Sequence, residues 1–323
     1  MEYRLLGRTG VRVSKLCLGC WMFGTRTDEE ESIRIVHAAL DAGINFLDTS
    51  NRYGRLPSGE YGASEVYIGK ALKARGHRAR QQVVLATKVR GQVGPGPNDH
   101  GLSRLHILQA IEDSLRRLQT DYVDLYYLHW PDPDTPLEES ARAMDDLIRA
   151  GKVRYWGTSN HAAWQIMEAH WLADRYGLYP PVAEQPPYNL LERDIERELL
   201  PCARRLGLAV CPYSPLADGL LTGKYRPSEP PPPNSRAASG LGGDILRRLN
   251  EPRTQRVLQA LAEVAAELGR PMSQVAINWV AAQPGVTAPI IGPRTVEQLQ
   301  DNAGALEWDL PAEAVARLSD AAD

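Results

Sequence analysis

What this chain has little of narrows the field before anything it contains. Four cysteines in 323 residues are too few for a disulfide scaffold, so a reducing, cytoplasmic location is the default expectation. No run approaches the 18 or so consecutive apolar residues of a membrane span. The opening MEYRLLGRTG has neither an apolar core nor a cleavage site, so no export signal is expected. A formal charge of −3 and a pI near 6.2 give no general attraction to nucleic acid or to an anionic membrane. Lysine is scarce, because the 37 basic residues comprise 6 lysines and 31 arginines. No GxGxxG follows an amino-terminal strand, and no GxxxxGKS/T occurs. GLLTGK at 219–224 is one residue short of a P-loop and lacks the hydroxyl residue after Lys224.

What is present is one unit repeated. With 43% hydrophobic and 24% charged residues the composition is that of a folded globular protein. Short apolar or β-branched runs at 15–19, 44–48, 82–88, 122–129, 153–159, 182–185, 208–214 and 287–292 read as strands. Amphipathic segments at 29–42, 64–75, 104–119, 137–150, 162–176 and 193–206 read as the helices between them, with two more at 254–268 and 273–283. Gly43, Gly76, Gly151, Gly177 and Gly207 stand where helices hand over to strands, as C-capping glycines do. The runs are continuously apolar, which suits parallel strands covered on both faces.

Eight such units predict an α/β fold, a (β/α)8 TIM barrel, with a doubly wound sheet as the competitor. Residues 3–13 read as a β-hairpin covering the amino-terminal end of the barrel. The Pro/Gly-rich stretch 225–253, before the last strand, reads as a long exposed loop or lid. Length alone favours two domains. Strand-end landmarks at 19, 48, 88, 129, 159, 185, 214 and 292 instead fit one domain spanning 1–323 with an insertion in its last interval.

The active site of such a barrel lies where its strands end. Those ends carry Asp48, Lys88, His129, Ser159, Asn160, Gln185, Tyr213 and Arg294, and ionisable groups placed directly after buried strands should be paired or functional. Asp48, Tyr53, Lys88 and His129 form a plausible proton-transfer set. A phenol alone holds its proton too tightly at neutral pH. An adjacent ammonium is expected to stabilise the phenolate and lower that pKa. Asp48 would hold the ammonium, and His129 would orient a carbonyl oxygen. Trp21, Met22, Tyr53, His129 and Trp130 are candidates for a substrate pocket with aromatic walls. The CxxC at Cys17 and Cys20 has zinc-like spacing, but Cys202 and Cys211 make a poor second pair and Cys17 sits in an apolar run, so no metal is expected.

The segments NFLDTSNRYG (45–54), LATK (85–88), DLYYLHWP (124–131), GTSN (157–160), EQPPYN (184–189), YSPLADGLLTGKY (213–225) and GPRTVEQLQDN (292–302) together resemble the aldo-keto reductases, over nearly the whole chain. The resemblance implies an oxidoreductase that reduces an aldehyde or ketone to an alcohol, with a nicotinamide cofactor held across the barrel mouth. The family's catalytic tetrad falls on Asp48, Tyr53, Lys88 and His129. The family's cofactor contacts fall on Gly19, Trp21, Asp48, Ser159, Asn160, Gln185, Tyr213, Ser214, Pro215, Leu216, Gly219, Lys224, Gly292, Arg294, Thr295, Gln298, Asp301 and Asn302. Arg294 or Thr295 would meet a 2′-phosphate, which favours NADPH over NADH. The family usually has Glu where Asp301 stands here. The partner implied is a small-molecule carbonyl or alcohol substrate, with homo-oligomerisation left open. Some members are auxiliary subunits of potassium channels, and that role is the alternative reading.

Overall fold

The computed structural model describes residues 1–76, 78–239 and 244–323. Two short strands, Tyr3–Leu5 (β1) and Arg12–Ser14 (β2), pair antiparallel. Eight parallel strands follow: Cys17–Gly19 (β3), Phe46–Asp48 (β4), Val84–Val89 (β5), Val123–Leu128 (β6), Val153–Ser159 (β7), Ala183–Gln185 (β8), Ala209–Val210 (β9) and Ile290–Ile291 (β10). Their spatial order is β10-β3-β4-β5-β6-β7-β8-β9. Parallel bridges Val210↔Val286 and Tyr213↔Ile290 join the two ends of that row into a ring. The Thr287 N–H donates to the Val210 carbonyl and the Ile290 N–H to the Pro212 carbonyl, each at 2.8 Å.

Helices Glu29–Asp41, Ala63–Ala74, Arg104–Leu118, Leu137–Arg149, Ala163–Tyr176 and Leu199–Leu206 fill the first six connections. The first is capped by Asp28, whose carboxylate accepts the Glu31 N–H at 2.9 Å, and three glutamates occupy its positive first turn. The five handover glycines all have positive φ, and Gly177 and Gly207 are themselves the C-caps.

Two expectations are corrected here. The segment 193–206 is not one helix: a 3₁₀ turn at Asp194–Glu196 precedes Leu199–Leu206. Pro201 explains the late start, since proline is accommodated in a first helical turn but not in an interior one. The stretch 225–253 is mostly exposed, as expected, but it is not without regular structure. It contains a 3₁₀ turn at Ala237–Ser239 and a helix at Ile245–Leu249, and helix Pro252–Leu268 begins inside it. Tyr225, Ile245 and Leu249 are buried in a cluster with Leu220 and Val257, so scattered apolar anchors hold a proline-rich chain against the body. Residues 240–243 of this stretch lie outside the described residues. The helices Val296–Gly304 and Ala312–Ala322 complete the fold, and the second buries Leu318 and Ala322 against Val257 and Leu261.

Register positions the site. Cys17, Phe46 and Val84 pair across β3, β4 and β5, and Gly19, Asp48 and Ala86 pair two residues further on. Because side chains alternate along a strand, one parity faces the ring's interior. Its lower layers are Cys17, Phe46, Val84, Ala86, Leu125, Tyr127, Ala183, Ala209, Cys211, Ala288 and Ile290, a single buried apolar cluster. Leu6 and Val13 of the hairpin belong to the same cluster and plug its lower end. The large Tyr127 fits because Gly157 faces it: a Cβ on Gly157 would come within 2.8 Å of the Tyr127 ring. Two residues beyond these positions, the same parity delivers Lys88, His129, Ser159, Gln185 and Tyr213 to the carboxyl ends. Sequence alternation thus converts an apolar interior into a polar floor in one step.

Candidate functional site

Lys88 is fully buried, and its ammonium donates to Asp48 Oδ2 at 2.5 Å, to the Thr49 carbonyl at 2.8 Å and to Tyr53 Oη at 3.3 Å. These three acceptors use all three protons of the ammonium. The second Asp48 oxygen accepts from Gln185 Nε2 at 2.9 Å. Tyr53 Oη lies 3.4 Å from His129 Nε2, and Ser50 Oγ lies 3.4 Å from His129 Nδ1. The four residues singled out in the sequence therefore form one chain of contacts: Asp48, Lys88, Tyr53, His129.

Burial works against charge throughout this set. It disfavours the Lys88 ammonium, yet Asp48 and Tyr53 outweigh it and the pKa rises above the ordinary lysine value. Burial likewise drives the His129 pKa well below its ordinary value, with Lys88, Arg52 and Arg90 pushing the same way, so the imidazole is neutral at physiological pH. Tyr53 departs from expectation. Lys88 does pull its pKa down, but desolvation is larger and the net shift is upward. The phenol is held protonated.

These groups open onto a cavity of about 900 Å³ at the carboxyl ends of the strands. Its wall includes Trp21, Met22, Tyr53, His129 and Trp130 at one end and Lys224, Arg294, Gln298, Asp301 and Asn302 at the other. Gly19, Asp48, Ser159, Gln185, Tyr213, Ser214, Pro215, Leu216, Gly219 and Gly292 line it as well. Lys88 stands behind the wall. Asn160 and Thr295 are not wall residues. The Asn160 amide donates to the His129 carbonyl and to Ser159 Oγ, both at 3.0 Å, and accepts from the Tyr213 hydroxyl at 2.8 Å. Asn160 is exposed, and both its amide group and its oxygen already bond neighbouring protein groups. Thr295 caps helix Val296–Gly304, its hydroxyl accepting the Gln298 N–H at 3.3 Å. Of the two residues expected at a 2′-phosphate, the cavity therefore presents Arg294.

Sequence reasoning missed other wall residues: Arg26, Arg52, Asp218, Arg236 and Ser273. None ends a strand, so the strand-end rule could not find them. It also missed a backbone feature. Ser214, Ala217 and Asp218 have φ of 55°, 46° and 59°, a left-handed conformation that costs non-glycine residues on the order of 1–3 kcal/mol each. Such strain persists only where the surroundings dictate it, and here it shapes the wall between Tyr213 and Gly219.

The far end of the cavity suits an anionic ligand. Arg26, Lys224 and Arg294 crowd there, with Arg236 reaching from them to stand 4.4 Å over the Trp21 ring, and partial burial followed by repulsion between cations lowers the Lys224 and Arg294 pKa values. Arg26 Nη1 and Arg236 Nε are buried without a hydrogen-bond partner among the described residues. The 225–253 stretch reaches this end: the Asn234 carbonyl accepts from Arg26 at 2.5 Å and from Arg294 at 2.6 Å, while Arg236 pairs with Asp218 at 2.6 Å. Cys17 and Cys20 are buried, and burial raises both thiol pKa values well above the ordinary one, which disfavours the thiolates a metal would need. No helix of the described residues is long and apolar enough to cross a membrane.

Comparison with known proteins agrees with this architecture. The sequence profile of the Aldo/keto reductase family matches residues 15–323. The chain is 45% identical over 324 aligned positions to a Bacillus subtilis protein named "Uncharacterized oxidoreductase YrpG", covering 99% of this chain and 95% of that one. It is 42% identical to a "Probable voltage-gated potassium channel subunit beta" of Oryza sativa subsp. japonica and 40% identical to one of Arabidopsis thaliana, each alignment covering 95% of this chain and 92% of the relative. A family profile spanning almost the entire chain, together with relatives of this identity and coverage, identifies the protein as an oxidoreductase belonging to the aldo/keto reductase family.

Proposed function

We propose that this protein is an NADPH-dependent reductase of aldehydes or ketones, built as one barrel domain with 225–253 as its insertion. The observation that carries this reading is the contact chain Asp48–Lys88–Tyr53–His129 opening onto a cavity whose other end is cationic. When bound, the reduced nicotinamide supplies the hydride that reduces the carbonyl carbon. Ser159, Gln185 and Tyr213 would hold the nicotinamide portion. Ser214, Pro215, Leu216 and Gly219 would follow the pyrophosphate with Lys224, and Arg294 would meet the 2′-phosphate. Gln298, Asp301 and Asn302 would serve the adenosine end.

The proton comes from Tyr53. Because burial keeps its phenol protonated, Tyr53 is loaded as an acid before substrate arrives. Proton donation to the carbonyl oxygen leaves a phenolate 3.3 Å from the Lys88 ammonium, which offsets the cost of a buried anion. Asp48 holds that ammonium in place. Neutral His129, 3.4 Å from the same phenol oxygen, positions the carbonyl by hydrogen bonding.

The experiment is NADPH consumption over a carbonyl panel, with Tyr53→Phe in parallel. Loss of general acid catalysis should lower kcat by about 10²–10⁴-fold, with NADPH binding retained. Unchanged turnover in Tyr53→Phe with cofactor still bound would overturn the assignment. The alternative, a cofactor-binding auxiliary subunit, draws on the names of the plant relatives. The complete proton-transfer set favours turnover.

A further inference from the structure

The substrate end of the cavity carries a cation that the proton-transfer set does not use. Arg52 lines the wall with Tyr53, His129 and Trp130. Its side chain is exposed, and its guanidinium carbon stands 5.5 Å from the Tyr61 ring centroid. The nearby carboxylates are engaged elsewhere: Asp48 pairs with Lys88, Asp218 with Arg236, and Asp132 faces Arg90 at 3.9 Å. Arg52 itself forms no ion pair among the described residues.

Its position is set by Gly91. A Cβ there would fall 2.5 Å from Arg52 Cδ and 3.4 Å from the edge of the Trp130 ring. The arginine stem and the indole therefore share the space over that glycine. Arg90 adds charge beside the same ring, its guanidinium carbon 4.9 Å from the Trp130 centroid and its Nε buried without a hydrogen-bond partner among the described residues. Both arginines contribute to the lowered pKa of His129. The substrate end thus combines an apolar wall of Trp21, Met22 and Trp130 with one arginine, Arg52, that has no acidic partner among the described residues.

We propose that Arg52 is a specificity-determining residue, and that the preferred substrates are carbonyl compounds whose apolar body carries a carboxylate remote from the reacting carbon. A guanidinium with no acidic partner can offer a carboxylate two parallel N–H donors, and Trp130 beside it supplies the surface for the body between. The inference rests on the carbonyl-reductase reading above.

The test compares para-carboxybenzaldehyde with its methyl ester, using NADPH and the holoenzyme. The quantity read is the acid-over-ester ratio of kcat/KM, so that each variant's general effects cancel. Arg52→Gln should lower that ratio about ten-fold, mainly through KM, because the carboxylate is bound away from the reacting atoms. Arg52→Lys should retain part of it. Added salt should lower the wild-type ratio and leave that of Arg52→Gln nearly flat, since the arginine is exposed to screening. A ratio in Arg52→Gln within two-fold of the wild type would overturn the role of Arg52 while leaving the reductase reading standing. Failure of the wild type to reduce either compound, or any member of the carbonyl panel, would overturn both.

Discussion

The two ends of the cavity solve the problem of placing charge in opposite ways. At the floor, one fully buried ammonium has an acceptor for each proton, and its counter-ion is held in turn by Gln185. At the far end, Arg26, Lys224 and Arg294 crowd around few anions with Arg236 reaching from them, and two buried guanidinium nitrogens have no partner among the described residues. The floor is complete in itself, as chemistry that must be positioned to tenths of an ångström requires. The far end is left electrostatically unfinished, which is what a site that recognises phosphate needs. One end therefore completes its own charge pairing, and the other keeps cations that the proposed function assigns to a phosphate.

The sharpest way to break that contrast is to remove the buried cation. Lys88→Met strands the Asp48 carboxylate, so stability should fall by about 3–5 kcal/mol, the cost of breaking a buried ion pair. It should also cost on the order of 10³-fold in kcat through loss of phenolate stabilisation. Thermal melting and turnover check both. A variant as stable and active as the wild type would erase the distinction between the ends.

Removing a cation at the other end should do something different. In Arg294→Gln the affinity for NADPH should fall about ten-fold, or about 1.4 kcal/mol, with a smaller effect on NADH. Unfolding free energy should stay within about 0.5 kcal/mol of the wild type, because a repelled guanidinium is lost along with one exposed hydrogen bond to Asn234. Equal losses for NADPH and NADH in binding titrations would remove the 2′-phosphate role.

The smallest effect comes from the opposite face of a floor strand, next to Gln185. Glu184 is as buried as Asp48 but pairs with no cation among the described residues: Oε1 accepts the His161 N–H at 3.2 Å, and Oε2 has no partner among them. Burial raises its pKa from 4.5 to about 8 despite that hydrogen bond. Between those values the native state keeps a proton that the unfolded chain has released. The contribution of Glu184 is therefore fully present below pH 4.5 and is lost as pH rises towards 8. The slope is at most about 1.4 kcal/mol per pH unit. Glu184→Gln should flatten the decline in chemical-denaturation stability over that window, and an unchanged slope would show that another group sets it.

The legible parts of this protein were those written in local order. Each strand-like run overlaps an observed strand, because continuous apolar runs between capped helices report burial on both faces. Asp48, Lys88, His129, Ser159 and Gln185 were legible because each stands at the carboxyl end of such a run. Arg52 and Arg236 were not, since nothing local distinguishes a wall arginine from a solvated one in a chain with 31 of them. The net pKa of Tyr53 was also out of reach. Its sign depends on how much burial opposes Lys88, and burial is a property of the packed ring.

By itself the sequence determined the repeating strand–helix unit, the family, and which side chains stand at the strand ends, because alternation and capping are local and near-neighbour effects. Tertiary structure decided which of those ends meet. Closure of the ring brings Gln185 within 2.9 Å of Asp48 across 137 residues, ties the exposed Asn160 to Tyr213 across 53 residues, and leaves Thr295 as a helix cap. Contacts between segments so distant along the chain have no local signature. They follow from register and closure, which place the same parity of eight strands around one floor.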